Sequence, residues 1–184
     1  MAHEGLGSRR AIEKLISSGL VEVNGQKAHI GQRIDQSSRV VVDGRKVRFR
    51  SINTTDVMVL NKSVGTVSTR RDEKGRATIY KNLSKPPHGR WVSVGRLDIN
   101  TSGLILLTNN GELANRMMHP SSGVDKEYAV RVSGRLSDEE LETLRDGVEI
   151  DGERLKFTDI QFFGGTNRNN WYHVVLMDGK NREV

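Results

Sequence analysis

Short apolar runs separated by turn signals are the feature that most limits the fold of this 184-residue chain. Val21-Glu22-Val23 alternates and is followed by Asn24-Gly25, and Val40-Val41-Val42 is followed by Asp43-Gly44, a pattern typical of strands closed by tight turns. Further strands are predicted at 57–60, 91–94, 104–107, 128–132 and 171–176. A chain whose short apolar runs are separated by turns in this way is expected to fold around β-sheets.

Helix signals are fewer and lie between the strands. Ser8 is a good N-cap for a first helix that ends near Gly19. Residues 112–118 predict a short second helix, and the capping box at 137–140 opens a third. Because strands and helices do not alternate strictly, we predict an α+β protein: a small helix-plus-strand domain, then a domain with a mixed, mainly antiparallel sheet and flanking helices. The predicted boundaries are 1–50, a polar linker at 51–56, and 57–184.

Composition excludes several classes of protein. There is no cysteine, which excludes disulfide scaffolds, thiolate zinc sites and cysteine nucleophiles. No apolar run is long enough to span a membrane, and residues 1–20 lack the apolar block of a secretory signal. We therefore expect a cytoplasmic protein, with a monomer as the default.

The net charge of +6 is unevenly distributed. Residues 1–50 carry +5, residues 61–96 carry +7, and residues 97–184 carry −5. This distribution suggests a polyanion facing the first half of the chain. The alternative is a solvated basic face without a partner.

Arg9 and Arg10 fall in the first turn of the first predicted helix. Cations there are opposed by the helix dipole and cost about 0.3–1 kcal/mol each. A phosphate at that helix end would reverse the cost and accept hydrogen bonds from the free N–H groups. The alternative is a pair of exposed, solvated arginines.

Asp98 lies beside Arg96 in a polar turn between two predicted strands. A carboxylate kept ionised by a neighbouring arginine is suited to act as nucleophile or base. The commoner alternative is an aspartate that hydrogen-bonds its own backbone in an Asx-turn. A calcium loop is rejected, because Asn109 stands where such a loop needs a bidentate glutamate.

Other chemistries have little support. The five histidines are scattered without metal-binding spacing, and spacing cannot nominate one for a serine–histidine triad. Neither of the glycine-rich nucleotide-binding motifs occurs.

Several motifs together resemble the ribosomal RNA pseudouridine synthases. They are Gly95-Arg96-Leu97-Asp98 with Thr101-Ser102-Gly103-Leu104, then 111–120, Lys126-Glu127-Tyr128-Ala129-Val130, and 179–184. The segment 111–120 resembles the large-subunit synthase B type in particular. Gly7-Ser8-Arg9-Arg10 with Asn24-Gly25 resembles the S-four type of RNA-binding module, so the resemblance covers nearly the whole chain.

The resemblance implies an enzyme that converts a uridine of large-subunit ribosomal RNA to pseudouridine. It implies that Asp98 starts breakage of the bond between uracil and ribose, by attacking the sugar or by removing a sugar proton. It also implies that Arg96 helps to displace the target base, that Tyr128 packs under the uracil ring, and that no metal or organic cofactor is needed.

Ribosomal RNA is the expected partner, with no role for a membrane. The predicted RNA contacts are Arg9, Arg10, Lys14, Lys62 and Arg182. Two departures from the family pattern are expected to matter: the module usually begins with a further helix, which this chain does not contain in full, and the closing motif normally continues past Val184. The rival hypothesis is a non-catalytic RNA-binding protein that keeps the scaffold and assists ribosome assembly.

Overall fold

The computed structural model describes residues 1–4, 6–35, 37–48, 54–166, 168–180 and 183–184. The helices are α1 (Arg9–Ser17), α2 (Gly111–Met118) and α3 (Asp138–Asp146), with 3₁₀ turns at Ala2–Glu4 and Pro120–Ser122. The strands are β1 (Val21–Val23), β2 (Gln26–Lys27), β3 (Val40–Val42), β4 (Arg45–Val47), β5 (Val57–Lys62), β6 (Val92–Val94), β7 (Gly103–Thr108), β8 (Lys126–Ser133), β9 (Val148–Ile150), β10 (Glu153–Leu155), β11 (Asp159–Gly165) and β12 (Asn169–Leu176).

The predicted α+β class is confirmed. The named strands pair antiparallel in sheets of order β2-β1-β3-β4, β5-β7-β6, β11-β12-β8 and β10-β9. A single parallel bridge, Val67 to Thr78, is seen among the described residues. Backbone contacts divide the chain into two compact units, Met1–Ala114 and Asn115–Val184.

The start of the first unit follows its local sequence signals closely. The Ser8 hydroxyl accepts a hydrogen bond from the Ala11 N–H at 3.1 Å, which caps α1. The helix ends at Ser17 with Ser18 as its C-cap, and the following Gly19 has a φ of 69°, while the Leu20 N–H donates to the Leu15 carbonyl. The β1–β2 turn has φ of 53° at Asn24 and 83° at Gly25, the left-handed pair that a two-residue hairpin turn requires.

Two apolar cores form in the first unit. Val21, Val23 and Val40 are buried in the four-stranded sheet, where Leu15 and Ile16 of α1 pack against them. Around the β5-β7-β6 sheet, the buried residues are Ile79, Trp91, Ile105 and Leu107. Leu97, in the loop between β6 and β7 that also carries Asp98, packs against this second core.

The second unit has a core of Ile160, Tyr172 and Val174, against which Leu141 and Leu144 of α3 pack. Helix α3 begins with the predicted capping box, in which the Ser137 and Glu140 side chains each accept from the other's backbone N–H. Strands β2, β4, β9, β10 and β11 were absent from the sequence prediction. Most are two or three residues long, too short for a periodic pattern.

Part of the predicted linker, residues 51–53, lies outside the described residues. Within the part that is described, no helix is long and apolar enough to cross a membrane.

Candidate active site

Asp98 lies in the loop that connects β6 to β7, and its side chain is exposed. The Thr101 N–H donates to the Asp98 carbonyl at 3.0 Å, which closes a turn directly after the aspartate. Among the described residues, the Asp98 carboxylate has no hydrogen bond or ion pair. The carboxylate is therefore not engaged in an Asx-turn and is open to a ligand.

Lys62, the last residue of β5, holds this loop by hydrogen bonds to its backbone. Its side chain is 1% exposed, and its Nζ donates to the carbonyls of Thr101 at 2.6 Å, Asp98 at 2.9 Å and Ser63 at 3.1 Å. An ammonium group has three donors, and all three are used here. Burial lowers the pKa of Lys62, and the nearby carboxylate of Asp98 opposes that change.

The prediction that Lys62 contacts RNA does not fit this location. A buried ammonium group bound to three carbonyls has no donor left for a phosphate. Lys62 instead joins the end of β5 to two points of the Asp98 loop, and it places a positive charge near the carboxylate.

Two further contacts fasten the same loop. The Ser68 hydroxyl donates to the Leu97 carbonyl at 2.8 Å and accepts from the Leu97 N–H at 3.2 Å. The Gly65 N–H donates to the Ile99 carbonyl at 2.8 Å. The backbone on both sides of Asp98 is thus held by residues 63–68, while its side chain is left exposed.

Arg96 is exposed on the same loop and forms no ion pair with Asp98 among the described contacts. The sequence analysis assigned to Arg96 the task of keeping Asp98 charged. The structure instead places the buried ammonium group of Lys62 near that carboxylate, and the charge of Asp98 opposes the lowering of the Lys62 pKa by burial.

The remaining predicted residues that the structure describes lie at two other places. Arg9, Arg10 and Lys14 are exposed on α1, whose first turn holds no acidic residue. Tyr128 is half-buried on β8 in the second unit, opposite Val174. It packs against the core of that unit.

Arg182 lies outside the described residues. In the described ranges, no group of three or more histidine, aspartate or glutamate side chains is placed to hold a metal ion.

Sequence reasoning missed the roles of Lys62 and Ser68. A signal for Lys62 was present, because β5 alternates and puts Lys62 on the same side as Met58 and Leu60. No local pattern marks Ser68, whose partner Leu97 lies 29 positions away.

Comparison with curated proteins gives relatives with one shared name. The chain is 49% identical over its whole length to "Ribosomal large subunit pseudouridine synthase B" of Pseudomonas aeruginosa, 46% to that of Haemophilus influenzae and 44% to that of Yersinia pestis. The matches cover 48%, 53% and 59% of those proteins, so the chain spans about half the length of these relatives.

A solved structure described as "Crystal structure of pseudouridylate synthase" matches 98% of this chain and 76% of its own, with a TM-score of 0.60 at 24% identity. That likeness supports the fold. The S4 domain model matches residues 1–40, and the RNA pseudouridylate synthase model matches residues 56–184, which include Asp98 and its loop. The chain therefore belongs to the RNA pseudouridylate synthase family.

Proposed function

We propose that this chain converts a specific uridine of large-subunit ribosomal RNA to pseudouridine, with Asp98 as the catalytic residue. The observation that carries the proposal is the Asp98 carboxylate, exposed and without a described partner on a loop that is tied down on both sides. A carboxylate that has no partner among the described residues and stands on a fixed backbone is ready to meet a substrate at a defined position. The names of the relatives supply the substrate class.

In the proposed reaction, Asp98 starts cleavage of the bond between uracil and ribose, by attack on the sugar or by removal of a sugar proton. The freed uracil turns and rejoins the sugar through its carbon-5. This releases Asp98, either by breaking its bond to the sugar or by return of the sugar proton. The proton on carbon-5 then leaves to solvent, and the ring nitrogen that was bound to the sugar takes up a proton in exchange. The product is an isomer of the substrate, so no oxidant, reductant or group donor is required. Lys62 holds the backbone of the Asp98 loop through its hydrogen bonds to the Asp98 and Thr101 carbonyls, so the carboxylate is presented from a fixed position.

The target base must leave its stack before it can reach Asp98, at a cost of a few kcal/mol. Arg96, exposed two residues before Asp98, is proposed to help displace the target base from its helix. Tyr128 is proposed to pack under the extruded uracil ring. Both roles come from the family resemblance.

RNA binding is assigned first to the N-terminal part of the chain. Residues 1–50 are proposed as an RNA-binding domain, joined by a linker at 51–56 to a catalytic domain at 57–184. The exposed cations Arg9, Arg10 and Lys14 on α1 are suited to phosphate contacts. Action on ribosomal RNA further implies a cytoplasmic enzyme, which we propose to be monomeric.

The test is release of label from ribosomal RNA that carries tritium at uracil carbon-5. The unaltered chain is expected to release label in proportion to the pseudouridine formed. Asp98→Asn should abolish release and leave RNA affinity within about twofold, because it removes one charge from an exposed side chain and no described contact. Asp125→Asn, at another exposed aspartate, is the matched control and should remain active.

Absence of release by the unaltered chain, with RNA binding intact, would support the non-catalytic RNA-binding alternative. A large loss of affinity in Asp98→Asn would instead mean that Asp98 organises the binding surface, and it would contradict the assigned role.

A further inference from the structure

Arg70 is held at a defined position beside the β5-β7-β6 sheet. Its guanidinium donates from Nη2 to the Trp91 carbonyl, and its Cζ lies 4.5 Å from the centre of the Tyr80 ring. Tyr80 is itself anchored, because its hydroxyl accepts from the Ser93 N–H at 3.2 Å. Trp91 is buried, and its indole N–H donates to the Ser84 carbonyl at 2.7 Å. The Arg70 side chain is therefore supported by a rigid surface.

A second arginine, Arg90, directly precedes the residue whose carbonyl Arg70 contacts. Its side chain is half-buried. Burial lowers the pKa of Arg90, the positive charge of Arg70 lowers it further, and Tyr80 acts in the opposite direction. Arginine remains charged at neutral pH, so an exposed cation, Arg70, and a half-buried one, Arg90, lie on either side of the Trp91 backbone contact.

Neither arginine forms an ion pair with a carboxylate among the described residues. The contrast with Arg76, in the same segment, is clear: its guanidinium is bound to Asp72 at 2.7 Å. Two like charges held together repel, and an anion that bridges them would remove that cost. Paired guanidinium groups also match the geometry of a phosphate.

The arginine pair lies near the Asp98 loop. Arg70 is two residues beyond Ser68, whose hydroxyl contacts Leu97, the neighbour of Asp98. At ~3.8 Å between consecutive Cα atoms, and with the Ser68–Leu97 hydrogen bond between them, this path places the Arg70 Cα within roughly 19 Å of the Asp98 Cα. A few nucleotides of an extended RNA strand span that distance.

We propose that Arg70 and Arg90 together form a binding site for a backbone phosphate of the RNA, close to the uridine on which Asp98 acts. The proposal rests on the proposed function and extends it, because neither arginine was among the RNA contacts predicted above. The site reads no base. It fixes the register of the strand, so that one nucleotide is presented to Asp98.

The test measures RNA affinity as a function of salt. Binding of an unmodified large-subunit ribosomal RNA transcript is followed by fluorescence anisotropy between ~50 and ~300 mM KCl, conditions in which phosphate contacts are revealed by counterion release. Arg90→Gln is expected to weaken binding about tenfold at ~100 mM KCl, and to reduce the slope of log affinity against log salt by about 0.7–0.9. Arg90→Lys keeps the charge but loses the forked guanidinium donors. Its RNA affinity should lie between those of the unaltered chain and Arg90→Gln.

Arg71→Gln is the matched control. Arg71 is exposed and adjacent to Arg70, and its substitution removes the same charge as Arg90→Gln. Its effect should be less than half that of Arg90→Gln. Equal effects of the two substitutions would show that only the overall charge of the segment matters, and they would refute a phosphate site formed by Arg70 and Arg90. Unaltered binding by Arg90→Gln would refute the site and leave the proposed function standing, whereas failure of the unaltered chain to bind the RNA would refute both.

A second measurement uses the unaltered chain and does not depend on the folding of variants. Phenylglyoxal modifies accessible arginines, and mass spectrometry locates the modified positions. Bound RNA should slow modification of Arg70 and Arg90 at least fivefold, as expected for guanidinium groups covered by phosphate. Equal modification rates with and without RNA would refute the proposal.

Discussion

Replacing Lys62 by Met removes the ammonium group beneath the Asp98 loop while keeping a flexible apolar side chain of similar length. Three charge-assisted hydrogen bonds to backbone carbonyls are lost, which are worth about 5–9 kcal/mol in total. Several kcal/mol are recovered, because a buried charge no longer has to be desolvated. In the variant, the Ser63 carbonyl still accepts from the Thr66 hydroxyl, and the Asp98 carbonyl still accepts from the Thr101 N–H. Only the Thr101 carbonyl is left with no described donor.

The net cost is therefore about 2–4 kcal/mol, which corresponds to a decrease in Tm of about 5–15 °C for a chain of this size. Thermal unfolding followed by circular dichroism measures it. Hydrogen exchange tests the location of the damage: the Thr101 and Gly65 amides, which donate to the loop carbonyls, should exchange faster in Lys62→Met. Label release from ribosomal RNA should fall at least about tenfold, because Asp98 is no longer held in place.

Lys81→Met is the control, because Lys81 is exposed and its substitution removes the same charge. It should shift Tm by less than about 1 °C. If Lys62→Met were as stable as this control, or if its amide exchange near Asp98 were unchanged, the role given to Lys62 would be wrong.

Two further predictions concern other parts of the chain. The side-chain and backbone hydrogen bonds from Arg76 lower the pKa of Asp72 to about 2, so this carboxylate stabilises the fold fully above its ordinary pKa of 3.8 and less as the pH falls towards 2. NMR titration should give that value, and Arg76→Gln should raise it towards the ordinary range; an unchanged pKa in the variant would contradict the assigned cause. Ser137→Ala should lower the free energy of unfolding by about 1 kcal/mol, because the capping box of α3 loses its side-chain acceptor. Urea unfolding measures this, and Ser133→Ala on β8 is the control; equal effects would mean that the cap contributes nothing.

Much of the fold was predictable, because its signals act over a few residues. Ser8 caps α1, Asn24-Gly25 turns the chain between β1 and β2, and the capping box at Ser137 starts α3 as predicted. Each depends on hydrogen bonds or backbone angles within about four residues, which the local sequence specifies. The very short strands β9 and β10 were not predictable, because they exist only as partners of one another.

The sequence by itself determined the α+β class, the family resemblance and the position of Asp98 in a polar turn between two strands. Only the tertiary structure decided the surroundings of that aspartate. The antiparallel register of β5 with β7 places Lys62 opposite Gly103, where its ammonium group reaches carbonyls 36 and 39 positions away in the sequence. Arg70 likewise meets Trp91 across 21 positions. Composition assigned Lys62 to the basic surface; its burial and its three acceptors follow from strand pairing, because side chains distant in sequence become neighbours only when the sheet forms.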